Sequence, residues 1–318
     1  MASVSTPAIE LRGVAKSYDG FQAVKPLDLL VPCGATYGLL GPNGAGKTTT
    51  IRMIMRILHP DRGDIHILGK PLSQDGLDRI GYLPEERGVY KRMKVRALLS
   101  FFGELKGVRA RDSRPRIDEW LERLELSDRA DARLQELSKG MQQKVQFIGA
   151  ILHDPEVVIL DEPFSGLDPI NQRVLREIIS DLRQVGRTII FSTHIIEHAE
   201  RICDHVCIIA RGAKVADGTL ADVKRQHGAE YVRIRLHGSA PDTVLRVKLA
   251  EFVDAIREQG SELEVALKPE VDPQQLLEEL VGSGLRLRRF EVTEPSLEQV
   301  FIERVGGAPA HEEEHVHV

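Results

Sequence analysis

Gly41-Pro42-Asn43-Gly44-Ala45-Gly46-Lys47-Thr48 has the residue types and spacing needed to hold a phosphate chain. Glycines reach backbone torsions closed to other residues, so successive N–H groups can turn inward around an anion. Lys47 adds a cation for the β- and γ-phosphates, and the Thr48 hydroxyl, with Thr49 beside it, an oxygen ligand for Mg²⁺. Further along, Val157-Val158-Ile159-Leu160 ends in Asp161 and Glu162. Asp161 could hold Mg²⁺ through its water shell. Glu162, one residue later, could orient or polarise an attacking water. A Gly-rich turn and an acidic strand end are the ordinary readings of the two features. Their occurrence in this order points to hydrolysis of a nucleoside triphosphate.

The surrounding elements must bring these groups together. Ala35–Leu40 reads as a buried strand entering the loop, and Thr48–Leu58 as a helix leaving it, with Ile51, Ile54, Met55 and Leu58 at helical spacing. The positive end of that helix dipole would face the phosphates. Val157–Leu160 and Thr188–Ser192 are short apolar runs suited to central parallel strands, and Asn171–Gln184 between them has helical periodicity. From about 92 to 136 strand signals vanish; Val95–Lys106 and Pro115–Leu126 read as helices, and Gln143–His153 reads as another beyond them. The fold class is therefore α/β: a mostly parallel sheet with helical cover over residues 1–225, carrying a helical subdomain at about 90–140. A small α+β domain follows at 228–305. Tyr231–Leu236, Leu263–Leu267 and Leu285–Phe290 read as strands, and Pro273–Val281, Ser296–Val305 and Leu249–Ile256 as helices. Residues 306–318, with three histidines, read as a disordered tail.

Composition narrows the setting. With 42% hydrophobic and 29% charged residues in 318, the chain can bury a sizeable core. A formal net charge of −5 and the lack of a long basic stripe argue against nucleic acid as a partner. No apolar run approaches bilayer length, and Met1–Pro7 lacks the core of a secretion signal. Cys33, Cys203 and Cys207 form no disulfide pattern. Cys203 and Cys207 flank Asp204-His205-Val206, but Cys207 reads as a small hydrophobe in an apolar strand rather than a metal ligand. These features place the chain in the cytosol, free or held at a membrane by another protein.

Further motifs in fixed order carry a family resemblance. Leu137-Ser138-Lys139-Gly140-Met141-Gln142 resembles the signature motif of ATP-binding cassette (ABC) proteins, usually LSGGQ, and Ser165-Gly166-Leu167-Asp168 their D-loop. Ser192-Thr193-His194 stands where the family has its switch histidine, and Tyr18 where an aromatic stacks on adenine. The resemblance spans residues 9 to about 220 and identifies a nucleotide-binding subunit of an ABC transporter. Tyr82-Leu83-Pro84-Glu85-Glu86-Arg87-Gly88 and Ser296-Leu297-Glu298-Gln299-Val300-Phe301 resemble the branch serving ABC-2 type permeases, which includes sodium and drug exporters.

The resemblance implies ATP and Mg²⁺ as cofactors and ATP hydrolysis driving a separate integral-membrane permease, with export of a small molecule, ion or drug. Glu162, His194 and Lys47 would be catalytic. Thr48, Asp161 and Glu85 would serve Mg²⁺. Nucleotide would lie between two copies packed head to tail as a homodimer, Tyr18 and the phosphate loop of one facing Ser138, Lys139, Gly140, Met141 and Asp168 of the other. The protein would sit peripherally on the inner face of the cell membrane, docked through residues about 85–105. Three departures stand out: Glu85 where the family has Gln, Lys139 for the first signature glycine, and Met141 for its glutamine. Other readings stay open for single residues: a hydrogen-bonded strand-end His194, a surface Tyr18, a solvated Glu85. A cassette acting on ribosomes or nucleic acid is the alternative function. It fits less well, because such relatives carry two cassettes or a long coiled coil, and the stretch between phosphate loop and signature has no sustained heptads. A nucleotide sensor without hydrolysis is disfavoured by Glu162 and His194 together.

Overall fold

The computed structural model describes residues 6–86, 90–225, 231–237, 249, 251–259, 262–268 and 270–306. The chain divides into two units, Met1–Thr219 and Leu220–Val318.

The first unit begins with an antiparallel sheet. Strands β1 (Ile9–Tyr18) and β2 (Phe21–Val31) form a hairpin closed by Asp19 and Gly20 at φ 45° and 85°. Two positive-φ residues make the tight turn whose twist suits adjoining strands. β4 (Arg62–Ile67) pairs with the other edge of β1, and β5 (Lys70–Pro71) completes the order β2-β1-β4-β5. Sequence periodicity suggested strand–helix alternation from residue 9; the half-buried alternation of β1 instead serves an antiparallel sheet packed on one face.

The second sheet has the order β10-β9-β3-β8-β7-β6. It contains β3 (Thr36–Leu40), β6 (Ile80–Leu83), β7 (Val157–Asp161), β8 (Thr188–Thr193), β9 (His205–Ala210) and β10 (Ala213–Thr219). All pairings are parallel except β10 on β9. Every residue of β3, β7 and β8 is buried, as expected for central parallel strands covered on both faces. Helices α1 (Lys47–Ile54), α2 (Gln74–Asp78), α6 (Pro169–Gln184) and α7 (Ile196–Ile202) belong to the strand connections. The helical segment holds α3 (Val95–Leu105) and α4 (Ala110–Arg123), which pack together and against α5 (Lys139–Ile151). The main core joins the two sheets through α1, with Tyr37, Met53, Ile54, Ile159 and Ile190 among its members.

Three helix ends differ from the sequence reading. α1 stops at Ile54 rather than Leu58, because Arg56 adopts φ 56° and turns the chain out of the helix. α4 starts five residues before Pro115 and tolerates that proline inside. α5 begins at Lys139, where a helix from Gln143 was expected. The Ser138 hydroxyl accepts the Met141 N–H at 3.3 Å and caps it there.

The second unit opens with α8 (Leu220–Arg225), which packs against the last helix, α10 (Leu297–Gly306). The boundary thus falls before this helix rather than after it. Its sheet runs β12-β13-β11-β14, with β11 (Tyr231–Leu236), β12 (Val253–Gln259), β13 (Glu262–Leu267) and β14 (Leu287–Thr293), all pairs antiparallel. Helix α9 (Pro273–Gly282) buries Leu276 and Leu280 against it. Leu249–Ile256 is not one helix, since Val253 onward pairs with β13 as an edge strand. Partner pairing overrides local preference there. The Ser-Leu-Glu-x-x-Phe stretch starts α10 with a capping box: the Gln299 N–H reaches the Ser296 hydroxyl at 3.2 Å, and Gln299 Oε1 accepts the Ser296 N–H at 2.5 Å. Gln299 Nε2 donates to buried Glu264 of β13 at 2.6 Å, tying α10 to the sheet. Arg87, Gly88 and the histidine-rich tail lie outside the described residues.

Candidate active site

β3, β8 and β7 are adjacent and parallel, so their carboxyl ends open on one edge of the sheet. The loop after β3 carries Gly41–Thr48, β7 ends in Asp161 followed by Glu162, and His194 follows β8. This edge is where open α/β sheets form ligand crevices.

Two glycines of the loop are demanded by space. A Cβ on Gly46, whose φ is 108°, would stand 2.6 Å from the Ala23 carbonyl oxygen, and one on Gly41 would stand 2.2 Å from that of Ile209. Gly46 is also the N-cap of α1, and no side chain caps that helix. Its first-turn N–H groups therefore face the loop with no protein side chain in the cap position, the arrangement that suits phosphate. Asn43–Thr49, with Phe21, Ala23, Glu85 and Glu162, line a hollow of about 360 Å³.

Lys47 lies across this loop, only 5% exposed. Its Nζ donates to the carbonyls of Gly41 at 2.8 Å and Pro42 at 3.0 Å and stands 3.8 Å from Glu162 Oε1. Burial lowers its pKa, against the opposing pull of Glu162, Asp161 and Glu85. The Thr48 hydroxyl reaches Asp161 Oδ1 at 3.2 Å and Glu85 Oε2 at 3.5 Å.

Asp161 sits opposite Ser192 in the β7–β8 register. That pairing lets the Ser192 hydroxyl donate to Asp161 Oδ1 while its oxygen accepts the Glu162 N–H at 3.0 Å. Asp161 Oδ2 is buried with no hydrogen-bond partner. Burial raises the Asp161 pKa above 3.8; hydrogen bonds from Ser192 and Thr48 oppose this, and the charges of Glu85 and Glu162 add to it. An orphaned carboxylate oxygen beside a hydroxyl and a second carboxylate is a hard-oxygen set that fits Mg²⁺. Among the described residues no group of three or more His, Cys, Asp and Glu would hold a metal alone, so phosphate oxygens would complete the shell. Because the folded protein holds the Asp161 proton more tightly than the unfolded chain, ionising Asp161 opposes folding as pH rises through and above 3.8. Asp161→Asn is therefore expected to melt at a higher temperature than the parent at neutral pH without ligand. The gap should close as pH falls toward 4, and the added stabilisation by ATP with Mg²⁺ should be lost. Thermal unfolding over a pH series checks this.

Glu162 is buried and adopts φ 48°, a left-handed conformation uncommon for a residue with a side chain. The turn aims its carboxylate back toward the loop. Glu162 Oε1 lies 3.0 Å from His194 Nδ1. With the proton on Nδ1, the ring donates to Glu162 and keeps Nε2 as an acceptor.

The remaining sequence candidates lie elsewhere. Ser138 caps α5, with Lys139, Gly140 and Met141 in its first turn, and none of the four lines the phosphate-loop hollow. Asp168 caps α6, accepting the Asn171 N–H at 2.9 Å, and this bond lowers its pKa. Buried Gln143 of α5 donates to the Pro163 carbonyl at 2.5 Å, linking the signature helix to the residue after Glu162. Tyr18 does not line the hollow; Lys16 Nζ lies 5.7 Å over its ring. Phe21, its hairpin partner and 66% exposed, does. Phe21 went unremarked in the sequence, and the signal was the Asp19-Gly20 turn, which places 18 and 21 side by side. Cys203 and Cys207 are buried, and burial pushes both thiols far up. A separate cleft of about 690 Å³ runs between the sheet edge and the helical segment, lined by Tyr82, Pro84, Glu86, Phe102, Leu105 and Lys106 among others. No helix among the described residues is long and apolar enough to cross a membrane.

Comparison with known proteins agrees with this geometry. Residues 24–165 match the ABC transporter family model, and residues 218–305 match the C-terminal domain of DrrA1-3-like ATP-binding proteins. An uncharacterized ABC transporter ATP-binding protein, YhaQ of Bacillus subtilis (strain 168), is 42% identical over 92% of this chain and 97% of its own. A Nod factor export ATP-binding protein I of Burkholderia orbicola (strain AU 1054) is 36% identical over 95% and 98%. A solved ATP binding subunit of an ABC transporter superposes with a TM-score of 0.66 at 33% identity, covering 70% of this chain and 93% of that one. Similarity along most of the chain, joined to a phosphate loop facing Asp161, Glu162 and His194, shows that this protein belongs to the ATP-binding subunits of ABC transporters, a family of ATPases.

Proposed function

We propose that the chain, as a head-to-tail homodimer, hydrolyses ATP with Mg²⁺ to drive an ABC-2 type export permease, and that it sits on the inner face of the cell membrane through that permease. The observation that carries the hydrolytic reading is the placement of Glu162 Oε1 between His194 Nδ1 at 3.0 Å and Lys47 Nζ at 3.8 Å. Lys47 would turn from the loop carbonyls to the β- and γ-phosphates, which return its full charge. Thr48, Asp161 and Glu85 would hold Mg²⁺, which when bound neutralises charge on the phosphate oxygens. Glu162 would accept a proton from, or orient, the attacking water, with His194 fixing its carboxylate.

Ser138 and Gly140 lie outside the hollow, which supports the dimeric reading: a signature that cannot serve its own loop is free to cap a partner's. Export is supported by the relatives named for Nod factor export and by the DrrA-like C-terminal match. The cleft beside Glu86 and Phe102 is the proposed permease seat, since it joins the strand leading to Glu85 with the helical segment. To test this, the tagged chain is expressed with a multispanning membrane protein encoded beside it and extracted in detergent. The two should co-purify, with ATPase raised over the free chain. Recovery of the chain with ribosomes or nucleic acid instead would overturn the transport reading.

A further inference from the structure

The chain as a whole is acidic, yet one segment of it concentrates cations. Residues 90–116 contain nine Lys and Arg against Glu104 and Asp112, in a chain whose net charge is −5. Lys94 and Arg96 at the start of α3 and Arg111 and Arg114 of α4 line a single cleft, together with Pro115, Ile117, Asp118 and Asp131. The carboxylates on this face are already engaged. Asp118 pairs with Arg96, Asp131 stands 3.9 Å from Lys94, and Asp112 holds Arg109 at 2.7 Å and Arg111 at 3.6 Å. Arg114, Lys91 and Arg92 are exposed and have no ion pair among the described residues. Four cations against Asp118 and Asp131 leave the cleft lining net positive, which favours an anionic ligand.

Two observations say which anion. The basic cleft neighbours the proposed permease seat along the chain: Lys106 lines that seat, and Arg109, Arg111 and Arg116, a few residues on, line a shallower hollow that shares Arg111 and Pro115 with the basic cleft. A large aromatic also stands exposed on the same segment. Tyr90, 59% exposed, lies edge-on to Phe101 with ring centroids 5.6 Å apart. Cations on a segment that also exposes an amphipathic aromatic suit the headgroup layer of a membrane surface better than a fully polar anion.

We propose that the cleft between α3 and α4 seats the phosphate headgroups of anionic phospholipids in the leaflet around the permease. The inference rests on the membrane-attached reading above. It adds a contact to the lipid itself, which would orient the helical segment and make docking sensitive to lipid charge.

The test uses the full chain without permease, sedimented with vesicles of phosphatidylcholine alone or mixed equally with phosphatidylglycerol. Binding is expected on the mixed vesicles only, and it should fall where salt shrinks the Debye length to about 3 Å. Each cation at a surface of this kind contributes roughly fivefold in partitioning. The triple variant Arg109→Gln, Arg111→Gln, Arg114→Gln should therefore bind about a hundredfold more weakly while keeping the parent's melting temperature and ATP affinity. Equal binding to neutral vesicles, unchanged binding of the triple variant, or preferential retention of a single-stranded RNA by the same arginines would overturn the proposal. Co-purification with a permease in detergent, free of anionic lipid, is scored separately. A failed lipid test beside a successful co-purification refutes only the lipid contact.

Discussion

Glu162→Gln is expected to bind ATP as the parent does and to lose its turnover, by on the order of a hundredfold or more. The substitution keeps the shape of the side chain, and Gln Oε1 can still accept from His194 Nδ1, now 3.0 Å from Glu162 Oε1. What disappears is the negative charge and with it the capacity to take a proton. The loss should appear in kcat, with affinity unchanged by calorimetry, since the carboxylate acts on water and not on the triphosphate. Removing a carboxylate 3.8 Å from Lys47 leaves that ammonium available for phosphate, so affinity should not fall. A variant that turned over ATP at the parent's rate would show that Glu162 is not the group acting on water.

Lys47→Ala should act on binding itself. The ammonium is buried and holds the carbonyls of Gly41 and Pro42, so its loss removes the only side-chain cation lining the phosphate-loop hollow among the described residues. It also takes from Glu85, Asp161 and Glu162 the ammonium that offsets their charge, and together they would repel a triphosphate. A charge-assisted hydrogen bond of this kind is worth about 1.5–3 kcal/mol, which corresponds to roughly a ten- to hundredfold weaker Kd. Calorimetry at fixed Mg²⁺ measures it. Unchanged affinity would remove Lys47 from the nucleotide site.

Local chemistry made much of this legible in advance. A strand, a Gly-rich turn and a helix are neighbours in the chain, so Gly41–Thr48 could be placed without tertiary information. The same holds for Asp161 at the end of an apolar strand. Long-range pairing was less visible. The antiparallel sheet is completed by β4 pairing with β1 tens of residues away, and β12, helical by its own residues, is a strand because β13 lies beside it. Helix ends depended on single side-chain bonds, as where Ser138 starts α5 four residues earlier than periodicity suggested. The contact of Glu162 with His194 needs β7 and β8 adjacent, and the clustering of Arg111 and Arg114 with Lys94 and Arg96 needs α3 packed on α4. Neither is written in any contiguous stretch.

In the proposed dimer, ATP is gripped by Lys47 of one copy and closed over by Ser138 of another. Sedimentation of Glu162→Gln with ATP and Mg²⁺ tests it most directly, because trapped nucleotide should hold the closed state. The mass should double with ATP, should not do so with ADP, and should stay at the monomer value when Ser138→Arg is added. A protein that binds ATP one to one and stays at monomer mass, or a dimer indifferent to Ser138, would contradict it.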